Sequence, residues 1–248
     1  MKTTGIWAFG KKNLSPEQKD IVDNYLKYAR TMLSDEIIKM ARKMNLDINE
    51  IFKNMLFSSK RELYESSVSN FLGVYGNYYA TEYLSKRYSK VENEKAIETN
   101  KGLTVVDICF IDGNIINLCE VKVVIQLLLS LNSYKEYSTD NLKREDFVFS
   151  NGYSQKRNFV SAGKKLLKQI EKLVAYREQN DNIKVNFITF KDCFIDPKII
   201  KRLNDLKVEI ITIPIGVHEI LDKVNNDMAN IYKYGKDLLA DNYLTPVS

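Results

Sequence analysis

Histidine is almost missing from this 248-residue chain, which contains His218 and no other. Histidine is the side chain that most often moves protons in enzymes, and it is also the commonest metal ligand. The composition therefore leaves almost no room for His-based catalysis or for a metal site built on imidazoles. We expect His218, at the start of a late helix, to have a packing or surface role.

Cysteine is scarce as well, with three residues in the chain. An odd number argues against a disulfide scaffold, and the spacing does not make a zinc-binding set. Cys109 and Cys119 are predicted to point to opposite faces of a hairpin, so they should not bridge each other.

Long apolar runs are also lacking. No segment reaches the length of a membrane span, and residues 1–7 lack the uninterrupted apolar stretch of a secretory signal. Hydrophobic residues make up 44% of the chain, which indicates a globular fold. We therefore expect a soluble, cytoplasmic protein with no membrane partner, and its net charge of +5 is compatible with a polyanionic one.

The chain does contain a clear succession of helical and strand-like patterns. Residues 14–57 are predicted to be helical, with Ser15 as the N-cap and Pro16 at the first helical position. Residues 36–56 loosely resemble a helix-turn-helix, which leaves open a DNA-reading role, a helical cap or a dimerisation arm. We divide the chain into a helical N-terminal extension (1–60) and a core with a C-terminal helix (61–248).

Within the core, a helix is followed by three strands, a helix, a strand, a helix, a strand and a last helix. The strands have apolar residues on both faces, for example Val106, Ile108 and Phe110 on one side and Cys109 on the other, so both faces need covering. This pattern predicts an α/β three-layer sandwich, with a central mixed β-sheet flanked by helices. In chain order, the predicted elements are a helix (61–88), a strand (91–97), the two strands of a hairpin (103–124), a helix (160–179), a strand (184–190), a helix (197–206), a strand (208–213) and a last helix that starts near residue 217.

Two apolar, β-branched segments flank Gly113-Asn114, which is a strong signal for a hairpin with a two-residue turn. Counting outward from that turn places Asp107 opposite Glu120, with Cβ atoms about 5 Å apart. A loop shifted by one residue would instead pair Asp107 with Leu118. The alternation of side chains keeps Asp107, Glu120 and Lys122 on one face in either register.

Two carboxylates and an amine are expensive to place in strands as apolar as these. They are also the groups needed to hold a divalent cation and to position a water molecule beside it. The hairpin is therefore the predicted site of chemistry.

A helix, then a hairpin with Asp on one strand and Glu-x-Lys on the next, then a helix and a strand, resembles the PD-(D/E)XK nuclease superfamily. This is the fold of restriction endonucleases and of many repair and phage nucleases, and the resemblance covers about residues 62–213. Asp107 matches the family's Asp, Glu120 its second acid and Lys122 its lysine. Val106 stands where the family often has proline, a position that varies.

The resemblance implies Mg²⁺-dependent hydrolysis of phosphodiester bonds, with Mn²⁺ as an alternative ion. Asp107 and Glu120 would bind the metal, and the backbone carbonyl of Val121 would be an extra ligand. Lys122 would orient the attacking water or help to deprotonate it, and would offset charge on the phosphorane.

In such nucleases the helix before the hairpin often contributes another acid. Glu82 and Glu65 are the candidates here, and we prefer Glu82 as a catalytic residue because it is closer to the following strand. Gln169, in the helix after the hairpin, borders the inward stripe where related nucleases place a polar residue near the site. Each has an alternative as an ordinary surface residue.

Basic residues cluster where a phosphodiester would lie, and their role would be to position nucleic acid without reading its sequence. The alternative is a solvated helix face. The polar stretch 130–157, rich in tyrosine and amide side chains, has the composition of either a base-contacting loop or a mobile surface loop. The predicted nucleic-acid-binding residues are Lys156, Arg157, Lys164, Lys165 and Gln169, and Lys143, Arg144 and Lys168 belong to the same cluster.

The resulting expectation is a type II restriction endonuclease that cuts double-stranded DNA as a homodimer. A junction resolvase, or a phage or repair nuclease on the same core, is the second hypothesis. A non-catalytic DNA-binding or regulatory protein that uses the helical N-terminus is the third.

Overall fold

The structure is a computed structural model, and its described residues form eight helices and seven strands. The described ranges are 15–57, 61–100, 102–137 and 152–241. The helices are α1 (Pro16–Thr31), α2 (Asp35–Lys43), α3 (Ile48–Phe57), α4 (Arg61–Ser85), α5 (Leu131–Tyr137), α6 (Gly152–Arg177), α7 (Pro197–Asp205) and α8 (Val217–Asp241). The strands are β1 (Val91–Thr99), β2 (Gly102–Asp112), β3 (Ile115–Val121), β4 (Gln126–Leu127), β5 (Ile183–Lys191), β6 (Phe194–Ile195) and β7 (Glu209–Gly216).

The chain forms two compact units. The helical unit contains the described residues up to Tyr75 and those from Asp222 onward, and the sheet unit contains the described residues from Gly76 to Leu221. The helical unit therefore takes in more of the chain than the extension 1–60 that we drew from the sequence, because part of α4 and most of α8 belong to it.

In the helical unit, α1 begins as the sequence predicts. The Oγ of Ser15 accepts a hydrogen bond from the N–H of Gln18 at 3.2 Å, and the side chain of Gln18 accepts one from the N–H of Ser15 at 2.9 Å. This reciprocal capping satisfies two N–H groups that a helix start would leave unpaired. A short turn links α2 to α3, and within it Asn45 takes a left-handed φ of +54°.

The sheet unit is built on a mixed five-stranded sheet in the order β1-β2-β3-β5-β7. The first three strands form an antiparallel meander, and β5 and β7 add to β3 in parallel. The short strands β4 and β6 form a separate parallel pair. The predicted α/β architecture with a mixed sheet is confirmed.

Helices cover both faces of this sheet. On one face, α6 packs Leu166, Ile170 and Leu173 against a core that includes Val185 and Phe187 of β5. On the other face, α4 comes so close that a Cβ on Gly76 would lie 3.7 Å from the ring of Phe190. The strands therefore need apolar residues on both sides, which gives three layers.

The helices differ most from the prediction in and near the stretch 130–157. Helix α6 begins at Gly152 rather than near residue 160, and α5 lies inside the stretch 130–157 that we expected to be a loop. Most of the remainder of that stretch, 138–151, lies outside the described residues. His218 is exposed near the start of α8, as expected.

All three cysteines are free thiols. None of the helices in the described ranges is long and apolar enough to cross a membrane.

Candidate functional site

The turn between β2 and β3 sets the position of the predicted acids. Gly113 has a φ of +59°, which a type II′ hairpin turn needs at its first central residue. From this turn the pairing continues without a slip to Ile108 opposite Cys119. The register predicted from the turn is confirmed over these residues, and Asp107 and Glu120 follow directly after the last pair.

At this level, side chains connect the ends of the two strands. The Oδ2 of Asp107 accepts a hydrogen bond from the backbone N–H of Val121 at 2.7 Å. The Nζ of Lys122 lies 2.5 Å from the Oε1 of Glu120, with 27% of the lysine side chain exposed and 6% of the glutamate side chain. The structure thus brings Asp107, Glu120 and Lys122 together.

Burial dominates the electrostatics of these groups. It raises the pKa of the Asp107 carboxyl, and the Lys122 ammonium and the Val121 amide oppose that rise without cancelling it. Burial, and then the charge of Asp107, raise the pKa of Glu120 to about 7. Burial alone would lower the pKa of Lys122, but Glu120 and Asp107 outweigh it and leave that pKa raised. One lysine therefore does not neutralise the negative charge of the site.

Glu120 also has an unsatisfied oxygen. The residue is 5% exposed, and within the described part of the chain its Oε2 is buried with no hydrogen-bond partner. A buried acceptor in this state costs about 1–3 kcal/mol. A cation or a donor bound at this oxygen would remove that cost.

Glu94 of β1 is a third carboxylate in the same row, and the sequence analysis did not select it. The pairing of β1 with β2 on either side of it places Glu94 opposite Asp107. Its backbone has a left-handed φ of +55°, which is uncommon for a residue other than glycine. Burial, and then the charge of Asp107, raise the pKa of Glu94 to about 7.

Strand β2 is irregular at the same level. Val106 and Cys109, three residues apart, both belong to the core that α6 covers, whereas residues at odd spacing point to opposite faces of a regular strand. The strict alternation that we predicted, with Val106 and Cys109 on opposite faces, is therefore wrong. The irregularity coincides with Asp107 and with the left-handed Glu94, where regular pairing of β1 with β2 is interrupted.

The two acids proposed from the preceding helix, Glu82 and Glu65, stay predictions. Glu82 is exposed on α4, and Glu65 lies in the part of α4 that belongs to the helical unit. On the β1 side, the acid that the strand register places opposite Asp107 is Glu94.

Gln169 fastens α6 to β2 near the site. Its Nε2 donates hydrogen bonds to the Oγ1 of Thr104 at 2.5 Å and to the carbonyl oxygen of Val105 at 2.9 Å. These partners precede Asp107 by three and two residues. The amide of Gln169 is thus engaged in holding the strand, which is a positioning contact.

Three of the predicted phosphate-binding lysines share one groove. Lys164, Lys165 and Lys168 are exposed and line a groove of about 620 Å³ together with Ser130 and Asn132. The groove therefore offers three positive charges and small polar groups, which is suitable for a phosphate backbone.

The other predicted basic residues are less fully described. Lys156 and Arg157 belong to α6 by their backbone, but their side chains lie outside the described part of the structure, and so do Lys143 and Arg144.

A close helix contact supports the end of β3. A Cβ added to Gly76 of α4 would lie 2.2 Å from the Cγ2 of Val123, which immediately follows Lys122. Only a residue without a side chain allows this approach. The fold thus uses a helical glycine to bring α4 against the strand end that presents the lysine.

The residues fit an ion that keeps part of its water shell. Among the described residues, no three His, Cys, Asp or Glu side chains form a ready metal cage. Mg²⁺ is commonly held by one or two carboxylates, with water and substrate phosphate completing its shell. Asp107 and Glu120, with the unsatisfied Oε2, are suitable for such an ion.

Comparisons with known proteins add little. No protein-family model and no curated protein matches the chain. Among solved structures, the crystal structure of AF1548, a protein of unknown function, is similar over 68% of this chain and 95% of that chain, with 8% sequence identity and a TM-score of 0.33. A similarity this weak supports no conclusion about function.

Proposed function

We propose that this chain is a metal-dependent endonuclease of the PD-(D/E)XK type that hydrolyses DNA phosphodiester bonds. The observation that supports the proposal is the pairing of a half-buried Asp107 with a buried Glu120 beside one lysine, in which Glu120 Oε2 has no partner in the described structure. Such an arrangement is costly unless the folded protein uses it.

On this proposal Asp107, Glu120 and the carbonyl oxygen of Val121 would hold Mg²⁺, with Mn²⁺ as a substitute. When bound, the ion would supply an activated water and offset charge on the phosphoryl oxygens. The hydrogen bond from the Val121 amide keeps the Asp107 carboxylate in place, which reduces the reorganisation needed when substrate binds.

Lys122 supplies positive charge to the reaction. Its pKa is raised by the two carboxylates, which favours a charged lysine. A charged ammonium can orient the attacking water and stabilise the negative charge that develops on the phosphorane. This role agrees better with the raised pKa than does direct deprotonation of water by Lys122.

A type II restriction endonuclease is the subtype we propose first, acting in the cytoplasm as a homodimer on double-stranded DNA. This step rests on the resemblance of the fold and motif alone. A junction resolvase or a repair or phage nuclease would use the same residues, and it would prefer branched DNA to linear duplexes.

Plasmid cleavage tests the proposal. We expect the wild type to nick or linearise plasmid DNA with Mg²⁺ and not with EDTA. Lys122→Ala should lose cleavage by orders of magnitude and still bind DNA in Ca²⁺, because the lysine acts on the transition state more than on metal binding. The control is Lys90→Ala, which removes an exposed lysine next to β1.

The control variant should cleave like the wild type. If Lys122→Ala also cleaves like the wild type, the role of the lysine is refuted. If the wild type cleaves neither plasmid nor branched DNA with Mg²⁺ or Mn²⁺, the proposed function fails.

A further inference from the structure

The helical unit contains a concave surface that the proposed catalytic site does not use. It is a groove of about 1030 Å³ between α1 on one side and α2 and α3 on the other. Val22 and Leu26 of α1 and Leu33 before α2 are buried and form an apolar floor. Basic residues dominate its walls: Lys19, Lys27, Arg30, Lys39, Arg42 and Lys53.

The charge of this groove is poorly balanced. Its six basic residues face two acidic ones, Asp23 and Asp35. Within the described part of the chain, none of the six cations forms an ion pair within 4 Å. Arg30 donates a hydrogen bond to the Oδ1 of Asn49 at 2.8 Å, and that partner is neutral.

Like charges gathered in a concavity repel one another and are not required by the packing of three helices. Low-dielectric walls around such a cluster also focus its potential and attract anions. Five of the six cations are exposed, whereas Lys53 is half-buried. The groove thus has the character of a surface that meets a negatively charged partner.

The local backbone also fits a nucleic-acid partner. Helix α2 ends at Lys43 and α3 begins at Ile48, which is the connection length of a helix-turn-helix. The left-handed Asn45 in the turn takes the conformation for which such turns often use glycine. Helix α3 presents Asn49 and Lys53 into the same groove.

We propose that this groove binds the phosphate backbone of duplex DNA and serves as a binding surface of its own, separate from the catalytic residues. The inference rests on the proposed function in naming DNA as the polyanion. Phosphate contacts of this type give affinity without sequence specificity and depend strongly on salt.

The test compares two triple variants of the full chain that remove the same charge. The groove variant is Lys27→Gln, Lys39→Gln and Arg42→Gln, three exposed positions at which folding should be unaffected. The control variant is Lys184→Gln, Lys201→Gln and Lys233→Gln, which are also exposed but lie outside the groove. Binding to a fluorescein-labelled 30-base-pair duplex is measured by anisotropy against NaCl, with EDTA present so that nothing is cleaved.

We expect the groove variant to bind roughly tenfold or more weakly at low salt and to flatten the slope of log K against log salt by about three. The control variant should keep the wild-type slope. Polyglutamate should compete poorly, since DNA phosphates are the proposed ligand. The inference would be overturned if the groove variant kept the wild-type salt slope, or if both triple variants lost the same amount of DNA affinity. It would also be overturned if polyglutamate bound as tightly as DNA.

This experiment separates the inference from the proposed function. Loss of binding in the groove variant, with no cleavage by the wild type, would leave a DNA-binding groove and remove the nuclease. Cleavage by the wild type, together with unchanged binding by the groove variant, would support the nuclease and remove the DNA-binding groove. Asp107→Asn should abolish cleavage and keep the wild-type salt slope in EDTA, because it does not alter the groove.

Discussion

Replacing Glu120 by glutamine should make the metal-free protein more stable, and increasingly so as the pH rises. The folded protein raises the pKa of Glu120 from 4.5 to about 7. Between these values the unfolded chain has lost a proton that the folded protein keeps, so the free energy of unfolding falls as pH increases. Glutamine does not titrate and avoids this loss.

The size of the effect follows from the shift. Each pKa unit corresponds to about 1.4 kcal/mol, so a rise of roughly 2.5 units costs the wild type about 3 kcal/mol once Glu120 is ionised. In the variant, the new amide N–H₂ would either face the Lys122 ammonium or stand in place of the oxygen that has no partner. This unfavourable contact would cancel about 1–2 kcal/mol of the stabilisation gained by removing the carboxylate. We expect a net stabilisation of about 1–2 kcal/mol near pH 8 and none from this source below about pH 4, where Glu120 is protonated in both the folded and the unfolded state.

Urea unfolding with EDTA at several pH values measures this difference. Glu98→Gln is the control, since Glu98 is exposed on β1 of the same sheet. The reasoning would be refuted if the difference in the free energy of unfolding between Glu120→Gln and the wild type did not change with pH. So would a variant that is least stable at high pH, because the Glu120–Lys122 pair would then be a stabilising structural bridge.

Two other predictions concern the support of the site and its surroundings. Gly76→Ala should lower stability by about 1–3 kcal/mol and reduce cleavage, since the new Cβ would lie 2.2 Å from Val123. The control is Gly73→Ala on the same helix, where the nearest atom is 3.7 Å away, and it should be neutral or slightly stabilising. Thermal melting compares the two variants. Replacing Lys164, Lys165 and Lys168 by glutamine should weaken binding to all DNA sequences alike and flatten the salt dependence by about three; an unchanged slope would assign these lysines to a solvated face.

Local signals were enough to predict the hairpin. The Gly113-Asn114 turn and the β-branched residues beside it fix a register that depends on a few neighbouring residues, and the structure has that register. The order of the main helices and strands was predictable for the same reason, because each has its own periodicity, whereas helix α5 and the short strands β4 and β6 were not predicted. The start of α6 was not, since the polar composition of residues 152–159 resembles that of a loop.

The sequence does not single out Glu94, because the strand that contains it is polar. In addition, the PD-(D/E)XK nucleases that this chain resembles often have their extra acid on the helix before the hairpin. A signal did exist. Thr99 lies opposite Gly102, so counting outward from the connection between β1 and β2 leads to Glu94 opposite Asp107. The left-handed φ of Glu94 and the interrupted pairing beside Asp107 depend on how three strands meet, and no local pattern predicts them.

Melting curves of wild type and Asp107→Asn, each with EDTA and with Mg²⁺, test the central claim most directly. The substitution removes one charge and keeps an oxygen that can accept the N–H of Val121. We expect the metal-free variant to melt at the wild-type temperature or above it, because burial raises the pKa of Asp107 and so favours its neutral form in the folded protein. Mg²⁺ should raise the melting temperature of the wild type alone. A destabilised variant, together with a wild type that does not respond to Mg²⁺, would contradict the assignment of Asp107 and Glu120 as a metal site.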